Sequence, residues 1–261
     1  LTDPSSAPGL QLPDSHQLSG SLERSPRDRS KRRVQQVLVR TSSENLSGFL
    51  TIPSGPLGLV LFAHGSGSSR HSPRNRAVAQ VLVESGFATL LFDLLTPAET
   101  SSGTLSCSHR LNLDLLSERL VGAIDWLSSL PNFDQLPLGL FGASTGAAAC
   151  FKAAVERPAR VCAIVSRGGR PDLAFDVLAD VQSPTLLIVG SQDVDVLELN
   201  AWAASFLQTT HALQVIPGAG HLFQEPGCLE QAACSARDWF LAHMRRAQHG
   251  TSPPVPFSEF G

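Results

Sequence analysis

The chain has 261 residues, 42% of them hydrophobic, and a formal net charge of −3 at neutral pH. That supplies a sizeable core, and it gives no electrostatic basis for binding nucleic acid or an anionic membrane. Tyrosine is absent, which excludes a phenol donor from any mechanism, and no apolar run reaches the roughly 18 residues of a membrane span.

Residues 1–33 are rich in Ser, Pro and charge and are predicted to be a disordered tail. The tail ends in a basic cluster, Arg27 to Arg33, read as solvated, with a nucleic-acid patch as the alternative. No apolar stretch follows it, so it does not read as a secretory signal. Five cysteines (Cys107, Cys150, Cys162, Cys228 and Cys234) form no C-x-x-C pair. Cys150 and Cys162 lie in apolar segments, where a free thiol behaves as a small hydrophobe. A reducing, cytoplasmic setting is expected.

Val34 to Arg40 and Leu46 to Ile52 read as an antiparallel hairpin. Gly58 to Ala63 is a continuous apolar strand, of the kind buried on both faces of a parallel sheet. The loop His64-Gly65-Ser66-Gly67-Ser68-Ser69-Arg70 follows, then a helix over Asn75 to Ser85 and a strand over Ala88 to Asp93. Leu94 to about Arg110 reads as a polar loop. Leu111 to Leu130 reads as an amphipathic helix with Leu116, Leu120, Ile124 and Leu127 on one face.

Leu138 to Ala143 is the next buried strand. It runs through Gly142-Ala143-Ser144-Thr145-Gly146 into an alanine-rich helix that Pro158 stops. Strands over Val161 to Ser166, Pro184 to Gly190 and His211 to Ile216 follow. The intervening helices are placed over Leu173 to Leu178 and Leu197 to Leu207, and a last one over Leu229 to Arg245. This alternation predicts an α/β fold with a doubly wound, mostly parallel sheet over residues 34–246, and a flexible tail over 247–261. The segment between Ser166 and Pro184 is too short for a large lid domain.

In such a sheet, ligands bind at the carboxyl ends of the strands. Ser144, Asp193 and His221 each follow a strand there. G-x-S-x-G places a serine on a sharp strand-to-helix turn with its hydroxyl exposed. Ser144 could otherwise cap the helix, and His221 could be an ordinary loop histidine. Asp195 and Asp172 compete with Asp193, and Asp195 could cap the following helix.

The order Ser, Asp, His resembles the α/β-hydrolase superfamily. Within it, the stretches H-G-S-G-S-S (64–69), G-A-S-T-G (142–146), G-S-Q-D (190–193) and G-A-G-H (218–221) resemble the small, lidless dienelactone-hydrolase-like branch. The resemblance implies Ser144 as nucleophile, His221 as general base and Asp193 as its orienting acid. It implies the backbone N–H groups of Thr145 and Ser66 as an oxyanion hole. Dienelactone hydrolases proper use cysteine where this chain has Ser144. The expectation is therefore a serine carboxylesterase acting on small, soluble acyl esters. The same triad could serve a thioesterase, amidase, peptidase or acyltransferase, and a non-catalytic binding protein is the reading from another class.

Four further residues are candidates for substrate contact. His64 either orders the oxyanion loop or touches substrate. Arg70, with His71, Arg74 and Arg76, is an anion site or a solvated surface. Arg167 and Arg170 flank Gly168-Gly169 and could anchor a carboxylate or phosphate. No metal motif is present and no cofactor is expected. The expected partner is a small-molecule ester, with no nucleic acid and no membrane, and the chain is expected to be a monomer or homodimer.

Overall fold

The computed structural model describes residues 32–101 and 112–244. The strands are β1 (Arg32–Arg40), β2 (Asn45–Pro53), β3 (Leu59–Ala63), β4 (Ala88–Phe92), β5 (Leu138–Ala143), β6 (Val161–Arg167), β7 (Thr185–Gly190) and β8 (His211–Ile216). The helices are α1 (Pro73–Glu84), α2 (Pro97–Ser101), α3 (Leu113–Ser129), α4 (Thr145–Glu156), α5 (Val194–Ala204) and α6 (Cys228–His243). A 3-10 helix, Pro171–Asp180, joins β6 to β7, with no lid domain inserted there.

The strands form one sheet in the order β1-β2-β4-β3-β5-β6-β7-β8. β2 runs antiparallel to both its neighbours, and the remaining pairs are parallel. Every residue of β3, β4, β5 and β7 is buried, because helices cover both faces. On one face Leu61, Leu90, Leu140 and Leu187 meet Leu120 and Ile124 of α3 and the alanines of α4. On the other, Phe62, Leu91, Phe141 and Ile188 meet Val78 and Leu82 of α1 and Phe240 of α6. Among the described residues, no helix is long and apolar enough to cross a membrane.

Three expectations need correction. Arg32 and Arg33 belong to β1, paired with Pro53 and Ile52, so the domain starts two residues inside the basic cluster. Charged side chains suit an edge strand, where they face water. The segment after β4 is not all loop, because Thr96 and Glu99 form a reciprocal capping box that starts α2. The Thr96 N–H donates to Glu99 Oε2 at 2.7 Å and the Glu99 N–H to Thr96 Oγ1 at 3.3 Å. T-P-A-E is a readable helix start, and Pro97 suits the first helical position. Asp195 is not the cap of α5. It lies inside the first turn, and Asp193 holds the cap position. Residues 1–31, the 102–111 part of the predicted loop and its following helix start, Cys107, and the tail from 245 onward lie outside the described residues. Cys150, Cys162, Cys228 and Cys234 are free thiols.

The packing of β5 against α4 depends on two glycines. A Cβ on Gly142 would lie 2.4 Å from Ala147 Cα, and one on Gly146 would lie 2.3 Å from the Ala63 carbonyl oxygen. Neither neighbour is a side-chain end that could swing away. Gly146→Ala is expected to lower the urea midpoint of unfolding at unchanged m-value, by about 1–3 kcal/mol or more. An unchanged midpoint would contradict this packing.

Candidate active site

β5 delivers Ser144 to the carboxyl end of the sheet with φ 51° and ψ −126°. A non-glycine residue in such a conformation costs about 1–3 kcal/mol and persists only where its surroundings enforce it. Ser144 stands at the N-cap position of α4 but makes no side-chain capping bond, so its hydroxyl is not spent on the helix. Its backbone is fixed by the turn after β6: Ser144 N–H donates to the Arg167 carbonyl at 3.3 Å, and Arg170 N–H donates to the Ser144 carbonyl at 3.1 Å. Gly65 passes close on the other side, where an added Cβ would be 2.9 Å from Ser144 Cβ.

Asp193 follows β7 and His221 follows β8. His221 Nδ1 lies 2.7 Å from Asp193 Oδ2. A carboxylate only accepts, so Nδ1 carries the proton and Nε2 presents a lone pair. The Asp193 side chain is 15% exposed and that of His221 is 40% exposed, so the acid is sheltered and the base meets solvent. The two loops are tied to each other: Gln192 N–H donates to the Ala219 carbonyl at 2.9 Å, and Gly218 N–H donates to Ser191 Oγ at 2.8 Å. The Gly168 turn links this pair to Ser144. It carries the Arg167 and Arg170 backbone contacts just described, and a Cβ on Gly168 would lie 3.2 Å from the His221 carbonyl oxygen and 3.7 Å from His221 Nδ1. Among the described residues no hydrogen bond joins Ser144 Oγ to His221, and such contacts commonly tighten only when substrate is bound. Asp172 is excluded as the acid, because both its oxygens accept from Arg170 at 2.8 Å.

The two expected oxyanion donors face each other across the site. Thr145 is the first residue of α4, where backbone N–H groups have no partner within the helix. The Ser66 amide is engaged, donating to Thr145 Oγ1 at 2.9 Å, with the two hydroxyl oxygens 3.0 Å apart.

Of the four residues considered for substrate contact, His64, Arg70 and Arg170 find partners within the protein, whereas Arg167 keeps Nε and Nη1 buried without a hydrogen-bond partner among the described residues. His64 spends both ring nitrogens on backbone. Its Nε2 accepts from Leu94 N–H at 3.1 Å, which leaves the proton on Nδ1 for the Gly65 carbonyl at 3.0 Å. Burial pushes its pKa below the ordinary value, against the opposing effects of the Gly65 bond and Asp93. His64 therefore orders the loop. Arg70 is ion-paired with Asp93, which also accepts the Arg70 N–H at 2.7 Å. Arg170 is paired with Asp172, whose hydrogen bonds raise its pKa. Arg167 is buried, with its guanidinium 5.7 Å from the Phe223 ring centroid and 6.0 Å from that of Phe141. It reaches Asn75 Oδ1 at 3.4 Å. Burial, with a smaller push from Arg74, lowers its pKa to about 10. It lies between the Phe223 ring of the loop that carries His221 and the Phe141 ring of β5.

Sequence reading missed Asn200 as a support of the site. Fully buried Asn200 donates from Nδ2 to the Gly169 carbonyl at 2.9 Å and so braces the Gly168 turn. Its signal was a polar residue in register with Val196 and Ala203 on the buried face of α5. A cavity of about 160 Å³ adjoins the 64–69 loop, walled by Asp93, Leu95, Pro97, Thr100 and Leu116. Neither this cavity nor a larger concavity of about 610 Å³, lined by Arg40, Asp125, Trp126 and Arg157 among others, is lined by Ser144, Asp193 or His221. Among the described residues no group of three or more His, Cys, Asp or Glu side chains could hold a metal ion.

The dienelactone hydrolase family matches residues 46–247. The chain belongs to that family. It is 51% identical to a dienelactone hydrolase from Anabaena variabilis of known structure, covering 82% of this chain and 99% of that one with a TM-score of 0.80. Over 212 residues it is 52% identical to a Mycobacterium tuberculosis protein named "Putative phosphoribosyl transferase", covering 81% of this chain. The chain spans about half the length of that curated relative, 47% of it. Est1E from Butyrivibrio proteoclasticus shares the fold at 17% identity, with a TM-score of 0.67 over 79% of this chain and 98% of that one. This dienelactone hydrolase family member thus has an α/β-hydrolase fold with Ser144 at the turn from β5 into α4.

His64 makes a pH test of the loop. Its folded pKa lies below the unfolded value of 6.5. Below that pH the unfolded chain binds the proton more readily, so the stability contributed by neutral His64 is full above about pH 6.5 and is lost as pH falls. Urea midpoints at pH 7.5 and 5.5 are expected to fall more for wild type than for His64→Gln. Parallel falls would overturn this.

Proposed function

We propose that this chain is a serine hydrolase that cleaves small acyl esters through an acyl-enzyme. The observation that carries the reading is the 2.7 Å bond from His221 Nδ1 to Asp193. It leaves Nε2 available as a base beside a turn that also holds Ser144. His221 takes the Ser144 proton as Oγ attacks the ester carbonyl, then gives it to the departing alcohol. Asp193 keeps the imidazole in the tautomer this requires and stabilises the imidazolium. The backbone N–H groups of Thr145 and Ser66 receive the developing oxyanion. Water then attacks the acyl group by the same route in reverse.

The cavity beside the 64–69 loop, lined by His64 and Ser66, supports a small substrate. At about 160 Å³ it is smaller than the roughly 300–1,000 Å³ of drug-sized ligand sites, which suits a short acyl or alcohol group. The transferase name belongs to a relative about twice the length of the matched part, and nothing in the present site favours that chemistry over hydrolysis.

Purified protein is expected to release p-nitrophenol from short-chain p-nitrophenyl esters. A fluorophosphonate probe should label Ser144, as read by peptide mass spectrometry. Ser144→Ala should abolish turnover and labelling with an unchanged circular dichroism spectrum. Asp193→Asn should lower kcat by about 10⁴-fold, the scale seen when a triad acid loses its charge. Undiminished turnover by Ser144→Ala would sink the assignment.

A further inference from the structure

The residue after the nucleophile carries a hydroxyl, and that hydroxyl lies where the reaction would place charge. Thr145 Oγ1 accepts the Ser66 amide at 2.9 Å and touches Ser66 Oγ at 3.0 Å. One of the two amides assigned to the oxyanion hole, that of Ser66, is therefore occupied in the resting protein. Thr145 is buried, so bulk water competes little for this contact.

An ester carbonyl oxygen needs the same Ser66 donor. It cannot occupy the position while Oγ1 does, because two oxygens cannot share one amide proton at full strength. Threonine has a way out. In helices it divides between two χ1 rotamers, and rotation withdraws Oγ1 from the Ser66 amide without moving the backbone.

We propose that the Thr145 hydroxyl is a built-in stand-in for the oxyanion, holding the Ser66 amide in the resting enzyme and displaced by the substrate carbonyl. The inference rests on the serine-hydrolase reading and deepens it. Thr145 is then a positioning residue through its side chain, in addition to any donation from its backbone. Its hydroxyl sets how tightly substrate binds and contributes nothing to the transition state once displaced. A hydroxyl that instead donated to the oxyanion would lower the barrier directly, so the two roles separate in KM and kcat.

The experiment is steady-state kinetics on p-nitrophenyl acetate with Thr145→Ala, Thr145→Val and Thr145→Ser. The Ala and Val variants are expected to lower KM about three- to tenfold, with any fall in kcat smaller than the fall in KM, so that kcat/KM rises. Thr145→Ser, which keeps the hydroxyl, should match wild type. In ¹⁵N-labelled protein the Ser66 amide proton should move upfield in Thr145→Ala, and a phosphonate adduct on Ser144 should return it downfield. A tenfold loss of kcat at unchanged KM would show the hydroxyl to be a direct donor and overturn the proposal. An increase in KM, or no change in either constant, would overturn it too. If Val at 145 prevents folding, Ala carries the test. Failure of fluorophosphonate to label wild type would remove the hydrolase reading together with this one. Normal labelling with unmoved KM would remove only this one.

Discussion

The structure depends on how closely α4 backs onto the sheet. β5 must end and α4 begin within one residue, and that residue must point its side chain out of the corner. Gly142 and Gly146 allow the approach, since any Cβ there would strike backbone at 2.4 or 2.3 Å. The same proximity explains the run of small residues: Ala147, Ala148, Ala149, Ala153 and Ala154 are all buried, so α4 packs as a thin rod between larger side chains. The backbone energy stored at Ser144 is held by this packing, by Gly65 on one side and by the Gly168 turn on the other.

The surroundings of the corner are arranged largely through backbone. Asn200 holds the Gly169 carbonyl, His64 holds Gly65 and Leu94, and the loops after β7 and β8 bond to each other directly. The charged side chains nearby are mostly neutralised within the protein, with Arg70 on Asp93 and Arg170 on Asp172. Arg167 differs, because aromatic faces and an amide receive it in place of a carboxylate. Its Nε and Nη1 remain buried without a hydrogen-bond partner among the described residues.

Much of this was legible in the sequence, for physical reasons. Strands buried on both faces must be continuously apolar, so β3, β4, β5 and β7 stood out. The chain order of Ser144, Asp193 and His221 followed from which loops leave the carboxyl ends of parallel strands. Side-chain destinations were not legible. A long guanidinium can reach several partners, and only the fold decided that Arg70 and Arg170 would turn to nearby carboxylates. The contact from Ser66 to Thr145 spans 79 positions and leaves no local mark. α2 could have been found, because T-P-A-E carries both halves of its cap.

The exposure of His221 has a consequence for the fate of an acyl group on Ser144. In the proposed mechanism, His221 is a base 40% open to solvent with no lid domain inserted between β6 and β7, and it would not choose its second nucleophile by excluding water. Water stands at molar concentration beside the imidazole, and any competing alcohol or amine would have to be held in place by dedicated contacts. Under the proposed mechanism, this exposure would favour hydrolysis of the intermediate over transfer to another acceptor.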